Sequence, residues 1–384
     1  ADEHRLRSLW VHARAGGDIR ALPEVQRDQA LVRALRLRDA RASDRFTEYD
    51  GNLAGLDIGP WPARVSPTRL ETWRACPHAY FVQYVLGERH VEEPEAIETL
   101  GALDRGAALH EAIDRLHREV LAGRLPPPGP QGWTGVHREA LLRAGHEVAA
   151  ALEAAGRTGR DAFWANARAE LLAALDAWLE FDARQWRGGR LVASELRFGE
   201  DEPVVLTTST GRPIGFAGTI DRVDELDDGT LVVTDHKTGS PNGLDKLSAD
   251  DPTLGGSRFQ LPVYAAAARQ ALGRDDAPVE AGYTFFRPRF ARTVVRFDDD
   301  VWARVGEALG AVVDGIEGGV FPAVPAPPGW RRFVPCWYCE PDGLGTADRW
   351  AQWERKRHDP ALARWFGDEA EDEAPGAQEV GGRD

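Results

Sequence analysis

Residues 218–239 read GTIDRVDELDDGTLVVTDHKTG, and this stretch decides the fold around it. Apolar and polar residues alternate up to Glu225, an Asp-Asp-Gly turn follows at 227–229, and a largely β-branched run covers 231–234. Alternation on both sides of a turn that contains glycine is typical of a β-hairpin. We therefore expect two antiparallel strands whose turn is centred on Asp228.

The hairpin predicts a pair of opposed acids. With the turn centred on Asp228, Asp221 lies opposite Asp235, and directly opposed residues have Cβ atoms roughly 4.5–5.5 Å apart. Two carboxylates at that separation repel each other unless a positive group lies between them, and hard divalent cations bind carboxylate oxygens. Lys237 projects from the same strand face, because it lies two residues beyond Asp235. The pattern favours a metal-dependent phosphodiesterase site.

The alternative is a surface ion pair on an ordinary hairpin, because single Asp-x-Lys tripeptides are common. Composition weakens this alternative. Of the 47 basic residues, only Lys237, Lys246 and Lys356 are lysine. A lysine therefore stands where a compact, rotatable ammonium suits catalysis better than a planar guanidinium would.

The overall composition narrows the class of protein. The formal net charge of −15 argues against a protein that coats nucleic acid non-specifically, although local arginine clusters can still contact phosphates. The sequence has no run of 18 apolar residues and opens with no signal peptide, so we expect a cytoplasmic protein. There is no methionine, and the chain opens in the style of a helix interior, which suggests a piece of a longer polypeptide.

The element pattern predicts an α/β fold with a mixed central sheet flanked by helices. Expected helices cover 1–45 with breaks near 16–17 and 23, 67–86, 100–122, 136–156, 160–187, 256–272 and 299–316. Expected strands cover 191–199, 203–208, 213–224, 230–236, 280–288 and 292–297. We expect a helical extension and linker over 1–62, one main domain over 63–365, and an acidic, disordered tail over 366–384.

Two helical motifs add candidate site residues. His110 stands four residues after Gly106 in an expected amphipathic helix; such a histidine is more often a surface or core residue, but an imidazole also suits a third ligand beside two carboxylates. Gln260 and Tyr264 are four residues apart and share a helix face. They are either a cap and a half-buried ring, or a contact to the active-site lysine or the nucleic-acid backbone.

These motifs occur in the order G-x-x-x-H, I-D-R, D-x-K-T-G and Q-x-x-x-Y, and the set resembles the nuclease domain of the RecB and AddB branch of the PD-(D/E)XK superfamily. The resemblance runs from about residue 66 to 349. The stretch SPTRLETWRACPHAYFVQYVLG at 66–87 is also similar to the opening helix of AddB-type subunits. The resemblance implies a restriction-endonuclease-like core and Mg²⁺-dependent or Mn²⁺-dependent hydrolysis of DNA phosphodiesters.

The resemblance also implies residue roles. His110, Asp221 and Asp235 match the metal ligands, and the carbonyl of His236 is a further candidate ligand. Lys237 matches the residue that orients or activates the attacking water.

Further residues are weaker candidates around the same site. Gln260 and Tyr264 match the accessory motif, and Glu195 lies in an expected strand of the same sheet. Four arginines are candidate phosphate contacts, each of which is more commonly structural: Arg222, Arg258, Arg287 and Arg289.

The cysteines pose a separate question. In AddB-type nucleases one early cysteine and a late Cys-x-x-Cys-x5-Cys hold a 4Fe-4S cluster, and Cys76, Cys336 and Cys339 match three of the four positions. Gly345 replaces the fourth cysteine. The alternatives are a cluster completed by Asp342 or Asp348, a zinc site with three cysteines, and a lost cluster whose cysteines remain as core residues. A disulfide is not expected in a reducing cytoplasm.

The resemblance therefore predicts a DNA nuclease that acts on single strands or duplex ends during recombinational repair. No G-x-x-x-x-G-K-[S/T] phosphate loop is present, so a helicase partner is expected, with 1–62 as the remnant that joins such a module. Two other functions stay open: a catalytically silent DNA-binding or scaffolding subunit, and a stand-alone nuclease of a defence system.

Overall fold

The computed structural model describes residues 2–59, 61–88, 99–287, 289–325 and 349–366. Packing divides the chain into two compact units. The first comprises Ala1–Ile58, Cys76–Gly87 and Gly315–Asp384, and the second comprises Gly59–Ala75 and Glu88–Asp314. The chain-order domains expected at 1–62, 63–365 and 366–384 stay a prediction.

The second unit contains a five-stranded mixed sheet with the order β1-β4-β5-β6-β7. Strands β5 and β6 run parallel, and the other neighbours are antiparallel. A separate two-stranded sheet pairs β2 with β3. The bounds are β1 Arg190–Phe198, β2 Val204–Thr207, β3 Pro213–Phe216, β4 Gly218–Glu225, β5 Leu231–Lys237, β6 Val279–Phe285 and β7 Ala291–Phe297. The expected α/β fold with a mixed sheet is confirmed.

The β4–β5 hairpin has the predicted register. Its pairs run from Glu225 with Leu231 to Arg222 with Thr234, so the turn is centred on Asp228. The Asp228 Oδ1 accepts a hydrogen bond from the Thr230 backbone N–H at 2.9 Å, which closes the turn. The chain then passes through a left-handed glycine at position 229, with φ of 82°.

Helices flank the sheet within this unit, and three of them share one apolar cluster. Their buried leucine, alanine and tryptophan side chains pack α6, α7 and α8 against one another. At Gly145 an added Cβ would lie 2.7 Å from Leu175, so the glycine permits the close approach of α7 and α8. The bounds are α4 Pro67–Ala75, α6 Ala102–Leu121, α7 Gly135–Ala154, α8 Asp161–Gln185 and α9 Gln260–Ala271; α10 Asp299–Glu317 extends into the first unit.

Three sequence predictions need correction at their boundaries. The strand expected at 213–224 is two strands, because the chain changes partner at Ala217: β3 pairs with β2, and β4 joins the main sheet. The helix expected from 67 to 86 breaks at Cys76, which is extended (φ −161°, ψ 101°) because a residue before proline is pushed out of the helical region. The helix expected at 256–272 begins at Gln260, after turns at 252–257.

The first unit is helical. As expected, its amino-terminal stretch breaks into separate helices near 16–17 and 23. A buried lysine, Lys356, donates hydrogen bonds to the Ala40 carbonyl at 2.7 Å and to Asp50 at 2.9 Å, which ties α11 to the end of α3. The bounds are α1 Asp2–Arg14, α2 Pro23–Arg27, α3 Gln29–Ala42, α5 Pro77–Tyr80, a π-helical turn Phe81–Val85, α11 Arg349–Lys356 and α12 Pro360–Phe366. None of the helices described could span a membrane.

Candidate active site

Three neighbouring strands each carry one acid at the same level of the sheet. The β1–β4 register pairs Ser194 with Arg222, and the β4–β5 register pairs Arg222 with Thr234. One residue further along, the same registers align Glu195 of β1, Asp221 of β4 and Asp235 of β5. The sheet therefore presents a row of three carboxylates, of which the sequence had singled out the last two and ranked Glu195 as weaker.

Helix α6 brings His110 against this row. Its Nδ1 lies 3.5 Å from Asp221 Oδ2 and 4.0 Å from Glu195 Oε1, and its Nε2 lies 2.8 Å from the carbonyl oxygen of His236. The glycine of the G-x-x-x-H motif has a packing reason, because a Cβ at Gly106 would lie only 3.3 Å from the Thr238 hydroxyl, just after β5. The structure therefore places His110 beside Asp221, and its role as a metal ligand stays a prediction.

Lys237 is held by two acceptors. Its Nζ lies 2.7 Å from Asp235 Oδ2 and donates a hydrogen bond to Gln260 Oε1 at 2.8 Å. The amide of Gln260 is oriented in turn, since its nitrogen donates to the Tyr264 hydroxyl at 3.2 Å and its oxygen accepts from the Tyr283 hydroxyl at 3.3 Å. The sequence hypothesis that Gln260 contacts the lysine agrees with this geometry, and Tyr264 acts through Gln260.

Sequence reasoning missed Glu71. This side chain on α4 accepts hydrogen bonds from the backbone N–H groups of Phe259 at 2.7 Å and Gln260 at 3.2 Å, so it caps the start of α9. Burial raises its pKa, which the two backbone donors only partly offset. The only local signal is an acid between Leu70 and Trp73, both of which are buried.

The three acids of the row and His110 all have shifted pKa values. Burial opposes the charge on His110, but the hydrogen bond and charge of Asp221 outweigh it and raise the pKa of His110 to about 9. Burial likewise opposes ionisation of Asp221, but His110 and His236 hold its pKa far below the usual range. Burial and the Asp221 charge raise the pKa of Glu195 to about 7, and burial raises the pKa of Asp235 despite Lys237.

The donor set fits a hard divalent cation. His110, Glu195 and Asp221 offer one imidazole nitrogen and two carboxylate oxygens within 4.8 Å of one another. Asp235 is buried, and its Oδ2 is paired with the Lys237 ammonium at 2.7 Å. Oxygen ligands with one imidazole suit Mg²⁺ or Mn²⁺. The His236 carbonyl oxygen already contacts His110 Nε2 at 2.8 Å, and its role as a ligand stays a prediction.

Comparison with known proteins identifies the family. The model of the PD-(D/E)XK nuclease superfamily matches residues 64–342. This chain belongs to the PD-(D/E)XK nuclease superfamily. The match covers the whole carboxylate row, His110, Lys237 and Gln260.

Similar curated proteins are of the AddB type that the motifs resemble. Each is named as the B component of an ATP-dependent helicase/deoxyribonuclease. The protein from Acetivibrio thermocellus is 30% identical over 226 residues, which cover 56% of this chain and 18% of that protein. The protein from Ruminiclostridium cellulolyticum is 27% identical over 278 residues, which cover 68% and 22%. The chain thus spans about a fifth of the length of these relatives.

A solved structure of a provisionally named exonuclease from Eubacterium rectale aligns with 74% of this chain and 90% of its own, at a TM-score of 0.35 and 11% identity. A likeness at this TM-score adds nothing to the family assignment.

Arg222 corrects a sequence prediction. It was a candidate phosphate contact of this PD-(D/E)XK protein, but it is 2% exposed. Its guanidinium pairs with Asp182 at 2.7 Å and Asp224 at 2.8 Å, and the Trp133 and Trp186 rings lie 5.5 and 5.6 Å from it. A phosphate cannot reach it, and its role is structural.

The remaining candidate arginines differ in their exposure to solvent. Arg258 is half-buried and donates a hydrogen bond to the Ser257 carbonyl at 2.6 Å. Arg287 and Arg289 are exposed. These two therefore remain the better candidates for contact with a substrate phosphate.

Of the three cysteines predicted to bind a cluster or zinc, only Cys76 lies within the described residues. Cys76 is buried at the residue before α5. Cys336, Cys339, Gly345, Asp342 and Asp348 lie outside the described residues, as does the acidic tail from 367 onward. The iron–sulfur or zinc centre therefore stays a prediction.

Proposed function

We propose that this chain is a metal-dependent DNA nuclease that hydrolyses phosphodiester bonds. The observation that carries the proposal is the row of Glu195, Asp221 and Asp235 with His110 at one side and Lys237 at the other. Three carboxylates at one level of the sheet, beside an imidazole and an ammonium, are suited to a cation that also binds a phosphate.

The side chains would divide the work as follows. His110, Glu195, Asp221 and Asp235 would hold Mg²⁺ or Mn²⁺, which when bound lowers the pKa of a water and offsets phosphate charge. An ammonium has three N–H donors. In Lys237 two of them are directed at Asp235 and Gln260, so the third is available to orient the attacking water or to contact a phosphate oxygen.

Substrate and partner follow from the relatives and the charge. The relatives' name joins a helicase and a deoxyribonuclease, so we infer DNA as the substrate, in single strands or at duplex ends, and a helicase-containing partner in end processing. The net charge of −15 supports the same view, because an acidic chain needs a partner or a narrow arginine-lined channel to hold DNA.

The test is cleavage of end-labelled single-stranded DNA with Mg²⁺ or Mn²⁺. We expect the wild-type chain to cut and Lys237→Ala to lose activity by about 10²–10⁴-fold. Lys246→Ala removes an exposed lysine outside the site and serves as the matched control, with activity close to wild type. Cutting that survives in Lys237→Ala would contradict the site. A folded wild-type chain that cuts neither alone nor with its partner would favour a scaffolding role.

A further inference from the structure

Glu195 has an unusual backbone. Its φ is 44°, in the left-handed region, although it lies inside strand β1. The pairs on either side, Ser194 with Arg222 and Leu196 with Ile220, keep one register, so no residue has been inserted. For a residue other than glycine this conformation costs roughly 1–2 kcal/mol. Such strain persists only where the surroundings over-determine it.

Ser194, the residue before Glu195, is hydrogen-bonded to helix α6. The Ser194 hydroxyl donates a hydrogen bond to Asp114 Oδ1 at 2.7 Å and accepts one from His117 Nδ1 at 3.1 Å; it also lies 3.4 Å from the carbonyl oxygen of Asp221. Asp114 and His117 follow His110 by four and seven residues, so all three share one face of α6. One face of α6 therefore carries the candidate ligand His110 and is also hydrogen-bonded to strand β1, which carries Glu195.

The direction of each proton in this cluster is determined. His117 is fully buried, and its Nε2 has no hydrogen-bond partner among the residues that the structure describes. Because a carboxylate can only accept, the Ser194 hydroxyl donates to Asp114 Oδ1, and its oxygen then accepts from a protonated His117 Nδ1. The His117 ring is also fixed, since it stacks on Trp133 with centroids 5.8 Å apart and meets the edge of Trp178.

We propose that Asp114, Ser194 and His117 form a positioning network that keeps Glu195 in its left-handed conformation, with its carboxylate aimed at the cation beside His110. The inference rests on the metal site of the proposed function. Ser194 touches neither metal nor substrate, so it acts through Glu195. Second-layer hydrogen bonds of this kind typically contribute 10–100-fold to metal affinity.

The test measures Mn²⁺ binding to the full chain by calorimetry, together with cleavage as a function of Mn²⁺ concentration. Ser194→Ala should weaken Mn²⁺ binding about 10-fold. It should also raise the Mn²⁺ concentration for half-maximal cleavage about as much, while the rate at saturating Mn²⁺ stays within about 3-fold. Ser194→Thr keeps the hydroxyl and should restore affinity. Ser209→Ala, in an exposed turn, is the control.

Each outcome decides the proposal. Wild-type affinity in folded Ser194→Ala overturns it, and so does a wild-type chain that binds no Mn²⁺. If Ser194→Ala does not fold, Asp114→Leu removes the acceptor from the helix side and should weaken Mn²⁺ binding by a similar factor. A wild-type chain that binds Mn²⁺ but cuts DNA neither alone nor with its partner would reject the proposed nuclease, and the binding measurements would still decide the role of Ser194.

Discussion

Asp221 and Arg222 are consecutive residues of β4, yet they belong to buried charge clusters of opposite character. Around Arg222, one guanidinium lies between Asp182 and Asp224. Burial opposes its charge, but these two acids outweigh burial and raise the pKa of Arg222 further. Around Asp221, three acids share the imidazoles of His110 and His236 and the ammonium of Lys237, and two of those acids have raised pKa values.

Burial of the central residue therefore does not by itself separate a structural cluster from a functional one. Asp221 and Arg222 lie on the same strand, and their side chains are only 13% and 3% exposed. In the Arg222 cluster the cation lies between its partners and is covered by tryptophan rings, so nothing further is required. In the Asp221 cluster burial raises the pKa of Glu195 and of Asp235, and a divalent cation would stabilise both as carboxylates.

Asp235→Asn should have the largest effect of the variants considered. If the acid row exists for a cation, the variant should lose cleavage by about 10³-fold or more, because a metal ligand and the partner of Lys237 are both altered. The metal-free variant should be at least as stable as wild type, since burial raises the pKa of Asp235 and an amide carries no charge. Cleavage assays and denaturant unfolding in EDTA measure the two effects. A large loss of stability without loss of cleavage would make the row structural.

Arg222→Met tests the other cluster. Removing the guanidinium leaves Asp182 and Asp224 buried without a cation, and breaking a buried pair in this way costs about 3–5 kcal/mol. We expect that loss in the free energy of unfolding, with Mn²⁺ affinity per folded molecule close to wild type. The triple variant that adds Asp182→Asn and Asp224→Asn should regain much of the stability. A variant that folds as well as wild type but binds DNA more weakly would restore Arg222 as a phosphate contact.

Local spacing explains which parts of the site could be predicted. The hairpin register depends on one turn, and the contact between Lys237 and Gln260 joins motifs that the family resemblance had already paired. Period-2 alternation could also have excluded Arg222, since neighbours on a strand face opposite ways. Applying that rule to Arg222 would have predicted its burial away from the acids.

Other features depend on packing between residues that are distant in the sequence, and their local signal is weak. Glu195 reaches the row because β1 pairs with β4, and its left-handed backbone depends on contacts from α6, about 80 residues earlier. Glu71 caps α9 from a helix 188 residues earlier in the chain. The change of partner at Ala217 arises from pairing with β2, which the alternation of 213–224 does not reveal.

The two histidines of α6, His110 and His117, should respond differently to a pH titration. The folded-state pKa of His110 is about 9, above its ordinary 6.5, so its contribution to stability is complete below pH 6.5 and is lost as the pH rises through about 9. In EDTA, the stability difference between wild type and His110→Gln should therefore shrink over this window, by on the order of 2 kcal/mol. The pKa of His117 is lowered by burial, so His117→Gln should show no such change between pH 6.5 and 9. A flat His110 difference would contradict the raised pKa of His110.

The smallest expected effects concern the exposed arginines. Arg287→Ala and Arg289→Ala each remove a cation that is free to contact a phosphate, unlike Arg222, so each should reduce the slope of log affinity against log salt for single-stranded DNA by about 0.7. The rate with saturating DNA should stay near wild type, because neither side chain lies in the acid row. Arg197→Ala is the matched control, since its guanidinium is exposed and already lies near Glu200. Equal salt slopes for all three variants would mean that DNA contacts the protein elsewhere.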